Sequence, residues 1–231
     1  IENAPKVGIE ITDFGMEHEP ECIKKYYEGC ATLADMARKA ASMEGVDFLS
    51  FRMEGGDPNG ANKSTEELIG ELKEIADAVD LPLVVCGCKN VEKDAELFSK
   101  AAEALNGKNA VILSAKEENY KTVGAAAGLA YKQVVGAESA VDINLAKQLN
   151  VLISQLGVDS KSVVMNVGTA AVGYGFEYVI STMDRVKAAA LQQGDANLQM
   201  PIITPVASEA WGVKEAMASE TDAPEWGSQE E

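Results

Sequence analysis

The feature that most constrains the fold of this chain is an alternation of short apolar runs with longer amphipathic stretches. Seven runs are rich in Val, Ile and Leu and show little strict polar alternation, which is typical of strands buried on both faces of a parallel sheet. The runs are Val7–Ile11, Asp47–Met53, Leu83–Cys86, Ala110–Ser114, Gln133–Val135, Ser162–Met165 and Pro201–Thr204.

Helical patterns fill the intervals between these predicted strands. Ser64 is a good N-cap, and Glu67 completes the spacing of a capping box in front of an apolar stripe. The other predicted helices are Thr32–Met43, Asp94–Leu105, Tyr120–Tyr131, Ile143–Leu156 and Phe176–Gln192. Such a series of βα units predicts one α/β domain, either a (β/α)8 barrel or an open doubly wound sheet. The first loop lacks a G-x-G-x-x-G fingerprint, which favours the barrel.

A complete barrel has eight strands, and only seven are predicted over residues 1–231. Beyond Thr204 lie Ser208–Ala218 and an acidic tail, neither of which resembles a strand. The sequence therefore predicts a TIM barrel with about seven βα units present, in which the C-terminal βα segment is missing. The chain starts at Ile1 without Met, as a partial chain would, and no signal peptide is found. We expect a barrel with two unpaired strand edges to be poorly stable alone.

Composition excludes several classes of function. The 231 residues carry a formal charge of −17, which disfavours nucleic acid and anionic membrane surfaces as partners. No apolar stretch is long enough for a transmembrane helix. Four cysteines and a single histidine, His18, indicate reduced thiols in a cytoplasmic protein rather than a metal site. The cysteines are Cys22, Cys30, Cys86 and Cys88.

Ligand sites of (β/α)8 barrels lie at the carboxyl ends of the strands, so the loops there supply the candidate residues. Those loops contain acids, amides and glycines, namely Asp57, Asn59, Asn119, Asp142, Asn144, Asn166, Gly173, Tyr174 and Gly175. Several have a purely structural alternative. Asp57 and Asn59 lie in turn dipeptides, Asp142 could cap a helix, Asn119 could cap a loop, and the glycines could form a tight turn.

The absence of some residue types argues against two classes of catalysis. No predicted strand contains the lysine that a Schiff-base aldolase would need. The strand ends also lack the clustered histidines and carboxylates of a hydrolytic metal site. The residues that are present suit the binding of a neutral polar heterocycle, or the docking of a partner, better than covalent or metal catalysis.

Several stretches of the chain together match one known family. They occur in family order between about Val7 and Gly227 and include Asp57–Asn62, Pro82–Cys88, Glu118–Lys121, Asp142–Asn144, Gly173–Tyr178, Glu209–Trp211 and Pro224–Gly227. With these the chain resembles the small (delta) subunit of the corrinoid iron–sulfur protein of the acetyl-CoA decarbonylase/synthase (carbon monoxide dehydrogenase/acetyl-CoA synthase) complex. One departure is Asn166-Val167, where the family usually has Asp-Pro.

The resemblance implies a barrel of the pterin-binding methyltransferase type that pairs with a large (gamma) subunit carrying a corrinoid and an iron–sulfur cluster. Such a heterodimer carries a methyl group from a methyl-pterin methyltransferase to the acetyl-CoA synthase subunit. The small subunit would cap the shared corrinoid without binding it covalently and without catalytic residues of its own. The nine loop residues named above are then candidate corrinoid contacts.

Two alternatives stay open at this point. One is a self-sufficient pterin-dependent methyltransferase, in which Asp57, Asp142 or Asn166 would hydrogen-bond the pterin ring. The other is a diverged binding module with neither role.

Overall fold

The computed structural model describes residues 4–226. Ile1, the acidic end of the tail and Gly227 of one matching stretch lie outside the described residues. The described chain is an α/β fold with a seven-stranded, all-parallel sheet. Its strands are β1 (Gly8–Thr12), β2 (Phe48–Arg52), β3 (Leu83–Cys86), β4 (Val111–Ala115), β5 (Val134–Glu138), β6 (Val163–Asn166) and β7 (Ile202–Ile203). Every predicted strand is therefore present; the bounds of β3 match the prediction, and those of the other six are slightly shifted.

Helices alternate with the strands and cover the outside of the sheet. They are α1 (Glu21–Tyr26), α2 (Leu33–Ala41), α3 (Thr65–Ala78), α4 (Val91–Ala104), α5 (Tyr120–Val123), α6 (Ile143–Gln155), α7 (Phe176–Leu191), α8 (Ala207–Ala210) and α9 (Lys214–Met217). Short 3₁₀ turns span Glu54–Gly56, Ser160–Ser162, Ala196–Leu198 and Pro224–Trp226. Within residues 4–226, each helix is too short or too polar to cross a bilayer.

Strand order distinguishes the two predicted architectures. The strands pair in sequence order from β1 to β7, whereas a doubly wound sheet reverses its order at a switch point. The sheet is curled and TIM-barrel-like, and within the described residues β1 and β7 each pair on one side alone. The barrel prediction is thus confirmed at the level of a half-barrel, with two open strand edges.

The two faces of the sheet differ because successive side chains of a strand point to opposite sides. The outer face carries apolar side chains such as Leu49, Phe51 and Val85, which are fully buried against the helices. The inner face has a smaller apolar cluster around Val84, Cys86 and Leu113. Gly8 also lies on the inner face, where a Cβ atom would overlap the Phe48 ring.

Local sequence signals explain several of the helix starts. Ser64 accepts a hydrogen bond from the Glu67 backbone N–H, as its N-cap position predicts. A capping box with both reciprocal hydrogen bonds forms at Thr32 and Asp35, at the start of α2. The patterns did not reveal α1, which follows Pro20.

The predicted helix Tyr120–Tyr131 is present over Tyr120–Ala130, but it changes type along its length. After α5 the chain continues as a π-helix over Gly124–Ala130. Cβ atoms at Gly124 and Gly128 would lie 2.9 Å and 2.6 Å from the side chains of Leu156 and Val158. This segment therefore approaches its neighbours too closely for larger residues, which the helical periodicity alone does not show.

Candidate functional site

The carboxyl ends of the strands open into two adjacent cavities of about 300 Å³ and about 440 Å³. We call them the smaller and the larger cavity. Arg52, Gly87, Lys89 and Ser208 line both of them. The position agrees with the usual place of ligand sites in barrels of this kind.

We call the opening of the barrel at the carboxyl ends of the strands, which contains both cavities, the mouth. A buried ion pair lies in the part of the mouth that β1 and β2 form. Arg52 donates from Nε to Oε1 of Glu10 at 3.0 Å and from Nη2 to Oε2 at 2.9 Å. Both side chains are 8% exposed. Ser50 Oγ donates to Glu10 Oε2 at 3.3 Å. The bidentate geometry orients the guanidinium and neutralises its charge within the wall of the barrel.

Two buried thiols line the cavities, and one of them, Cys86, lies next to this ion pair. Cys86 Sγ is 3.4 Å from Ser50 Oγ, and burial raises the pKa of Cys86 to about 11 although Arg52 opposes the shift. Burial, together with the nearby Asp94, raises the pKa of Cys88 to about 12. Both thiols are therefore protonated near neutral pH, and neither is an activated nucleophile.

A hydrogen-bonded group on β4, β5 and β6 forms the opposite wall of the smaller cavity. Asn166 Nδ2 donates to Ser114 Oγ at 3.0 Å and to Glu138 Oε2 at 3.4 Å. Asn166 Oδ1 accepts from the Gly168 backbone N–H at 3.1 Å. Lys116 Nζ lies 3.3 Å from Glu138 Oε1. The charges on this wall are therefore also paired.

Two polar groups of the smaller cavity retain hydrogen-bonding capacity. Asp94 Oδ1 accepts from the Cys88 backbone N–H at 2.7 Å and from Cys88 Sγ at 3.2 Å. Burial raises the pKa of this carboxyl. Thr169 Oγ1 is buried and has no hydrogen-bond partner within the described part of the chain. Both residues line the cavity and could serve a ligand there.

Residues 205–217, which we call the strap, pass over the mouth and contain α8 and α9. Pro205, Ser208 and Glu209 line the smaller cavity, whereas Trp211 and Met217 line the larger one. Lys89 Nζ contacts Glu209 Oε1 at 2.8 Å. Tyr174 donates its hydroxyl to the two Glu215 carboxylate oxygens at 3.2 Å and 3.0 Å.

The structure brings only part of the predicted residue set to the cavities. Asn166 lines the smaller cavity and Asp57 the larger. Tyr174 lies at the rim and contacts the strap. Gly173 and Gly175, with φ of 82° and 108°, form the turn that leads into α7.

The remaining predicted residues stabilise loops. Asn119 Oδ1 accepts from the Lys116 backbone N–H at 2.8 Å. Asp142 is the N-cap of α6 and accepts from the backbone N–H groups of Asn144 and Leu145, while Asn144 is itself exposed. Asn59 donates its backbone N–H to Asp57 Oδ1. The helix-cap alternative for Asp142 and the loop-cap alternative for Asn119 are thus what the structure displays.

Sequence reasoning missed the polar residues within the strands that face the mouth, namely Glu10, Ser50, Arg52, Cys86 and Glu138. A signal for them existed, because Glu10 and Thr12 share one strand face, as do Ser50 and Arg52. Polar residues at every second position of an otherwise apolar strand indicate a face directed at a ligand or at water.

No group of three or more His, Cys, Asp or Glu side chains is arranged to hold a metal ion within residues 4–226. The four cysteines are free, and Cys22 and Cys30 are half-buried outside the two cavities.

Comparison with known proteins identifies relatives of the whole described fold. The family model described as "CO dehydrogenase/acetyl-CoA synthase delta subunit" matches residues 1–222. Among curated proteins, the acetyl-CoA decarbonylase/synthase complex subunit delta of Methanothermobacter thermautotrophicus is 34% identical over 92% of this chain and 54% of its own length. The subunit delta of Methanopyrus kandleri is 37% identical over 78% of this chain and 45% of its own length.

A third relative, subunit delta of Methanocaldococcus jannaschii, is 31% identical over 99% of this chain and 55% of its own length. The chain therefore spans about half the length of the curated relatives it matches. On these matches, the chain belongs to the CO dehydrogenase/acetyl-CoA synthase delta subunit family.

Proposed function

We propose that this chain is the non-catalytic barrel of a corrinoid iron–sulfur methyl carrier and that its mouth caps the corrinoid held by a large subunit. The observation that carries the proposal is the state of the charges at the mouth. Arg52 is paired with Glu10, Lys116 with Glu138, and Lys89 with Glu209. The buried thiols are protonated near neutral pH. Such a mouth can bind and orient a ligand but supplies no ready nucleophile.

A corrinoid has a broad, partly apolar face edged by amide side chains, and several features of the mouth suit it. Gly87, Gly168 and Ala140 are small lining residues that permit a close approach. The Thr169 hydroxyl, which has no hydrogen-bond partner among residues 4–226, and the Asn166 amide could exchange hydrogen bonds with peripheral amides. When bound, the corrinoid cobalt would carry the methyl group. The residues of this chain would orient the ring and exclude water from it.

The proposal extends to partners and to the rest of the barrel. By family membership we expect a large (gamma) subunit carrying the corrinoid and an iron–sulfur cluster, a methyl-pterin methyltransferase, and the acetyl-CoA synthase subunit. We also propose that a further segment covers the open edges of β1 and β7, because unpaired parallel strands leave backbone donors and acceptors exposed. Relationship to pterin-binding methyltransferases and a cytoplasmic location remain parts of the same proposal.

Co-purification tests this function. The full-length protein and its corrinoid-bearing large subunit should form a stable complex, and bound corrinoid should change its absorption spectrum when the complex forms. A matched pair of variants tests whether the mouth is the face that binds the large subunit. Thr169→Arg places a long cation at the mouth and should weaken the complex, whereas Lys100→Ala on the outer helix α4 should not. Absence of any complex between the wild-type proteins would overturn the proposal.

The second candidate, a self-sufficient pterin-dependent methyltransferase, is favoured by one observation. A buried carboxyl, Asp94, and a buried amide, Asn166, line the same cavity of about 300 Å³. This pair could bind a polar heterocycle. Of the three residues first considered for the role, Asp57 and Asn166 line cavities and Asp142 does not. Methyl transfer from a methyl-pterin to free cobalamin by the full-length protein alone would establish this candidate, and its absence from folded protein would exclude it.

A further inference from the structure

We propose that the strap, residues 205–217, is a displaceable cover that opens locally to expose the floor of the mouth. The identity of the ligand that displaces the strap in the cell rests on the proposed function, because a corrinoid capped by the mouth would need the space that the strap occupies. The opening itself is a property of this chain alone.

The strap packs weakly on the barrel. Neither α8 nor α9 contains a buried residue. Trp211 and Met217 line the larger cavity and are still 39% and 41% exposed. Segments that bury little apolar surface open at a much lower free-energy cost than the core of the same protein.

Among residues 4–226, two exposed side-chain contacts join the strap to the loops beneath it. The Lys89–Glu209 ion pair joins it to the loop after β3, and its two side chains are 60% and 40% exposed. The Tyr174–Glu215 hydrogen bond joins it to the loop after β6, also at the surface. Water competes effectively for contacts of this kind, so they hold the strap closed only weakly.

The floor of the mouth differs from the strap in burial and in charge. Arg52 and Asp94 are buried charged residues, and Cys86 lies among them. Cavities of about 300 Å³ and about 440 Å³ separate this floor from the strap. Opening therefore breaks little apolar packing while returning water to charged groups, which lowers its cost. Opening a rigid wall of the barrel would instead break extensive apolar packing and return water to few charged groups.

Cys86 reports on opening because its thiol lies under the strap, whereas Cys22 and Cys30 lie outside the cavities. The experiment measures N-ethylmaleimide labelling of the full-length protein by peptide mass spectrometry, without any partner subunit. The test variant is Tyr174→Phe combined with Glu209→Gln, which removes the Tyr174 hydroxyl donor and the charge of Glu209 and changes little in volume. The control is Glu103→Gln, which removes the exposed Lys100–Glu103 pair on α4.

We expect Cys86 to be labelled about threefold or more faster in the test variant, because weakening two contacts that stabilise the closed state raises the population of the open state. The factor is modest because each exposed contact contributes only a small part of the closing free energy. Labelling of Cys22 and Cys30 should not change, and the control should match wild type. An unchanged Cys86 rate, an equal rise in the control, or labelling of wild-type Cys86 only at the rate of global unfolding would each overturn the proposal. None of these outcomes bears on complex formation with the large subunit, which is tested separately.

Discussion

The outer and inner faces of the same strands serve different purposes. On the outer face Leu49, Phe51 and Val85 are fully buried in a continuous apolar core shared with the helices. On the inner face, near the mouth, the same strands present Ser50 and Arg52. The contrast indicates that most of the apolar burial that stabilises the fold lies between the outer face of the sheet and the helices. The inner face has less apolar burial and instead presents polar groups suited to recognition.

The largest expected effect comes from the outer face. Phe98 on α4 is fully buried in that core, so Phe98→Ala should lower the free energy of unfolding by about 4 kcal/mol through lost transfer energy and a cavity. Leu191→Ala is the matched control, because Leu191 is 80% exposed on α7 and should change it by less than about 0.5 kcal/mol. Urea unfolding of the full-length proteins measures both. Equal effects of the two substitutions would contradict the assigned core.

The buried ion pair on the inner face can be tested by comparing a single substitution with a double one. Arg52→Met leaves Glu10 buried without its partner and should cost about 3 kcal/mol in unfolding free energy. The double variant Glu10→Met and Arg52→Met removes both charges and should recover most of that loss, since apolar replacement of a buried pair is often neutral. A double variant as unstable as Arg52→Met would show that the pair itself stabilises the barrel.

The smallest expected effect is a pH dependence at the floor of the mouth. Burial raises the pKa of Asp94 above its ordinary value of 3.8, so the folded state holds this proton more tightly than the unfolded state. The stability contributed by the protonated group is fully present below the ordinary value and is lost as pH rises through the raised pKa.

Relative to Asp94→Asn, the wild type should therefore become less stable as the pH is raised from about 4 to 7. Urea unfolding of both proteins over this pH range gives the difference directly, because other titrating groups are common to both. A difference that stays constant, or that favours the wild type with rising pH, would argue against burial as the dominant influence on this carboxyl.

Much of the fold could be predicted from the sequence because strands buried by helices on one side read as compact apolar runs. The Leu83–Cys86 strand matches its prediction at both ends. The π-helix at Gly124–Ala130 could not be predicted, since its close approach to Val158 is a tertiary contact. The strap helices were also missed, because they bury no residues and carry no strong periodicity.

The site was harder to predict than the fold. Loop polarity identified Asn166 and Asp57 at the cavities, but the same criterion selected Asn119 and Asp142, whose side chains hydrogen-bond their own loops. Polar loop residues satisfy nearby backbone groups as readily as they bind ligands. The charges of Glu10 and Arg52 were overlooked because they lie within strands, where only alternation between the faces distinguishes them.

Hydrogen–deuterium exchange of the full-length protein, with and without the corrinoid-bearing large subunit, tests the central claim most directly. If the mouth is the docking face, binding should slow exchange in the loops after the carboxyl ends of β2, β5 and β6, and should change exchange in the strap. The turns at the opposite end, such as those containing Gly107 and Gly157, should be unaffected. Protection at those turns, with the mouth unchanged, would contradict the account.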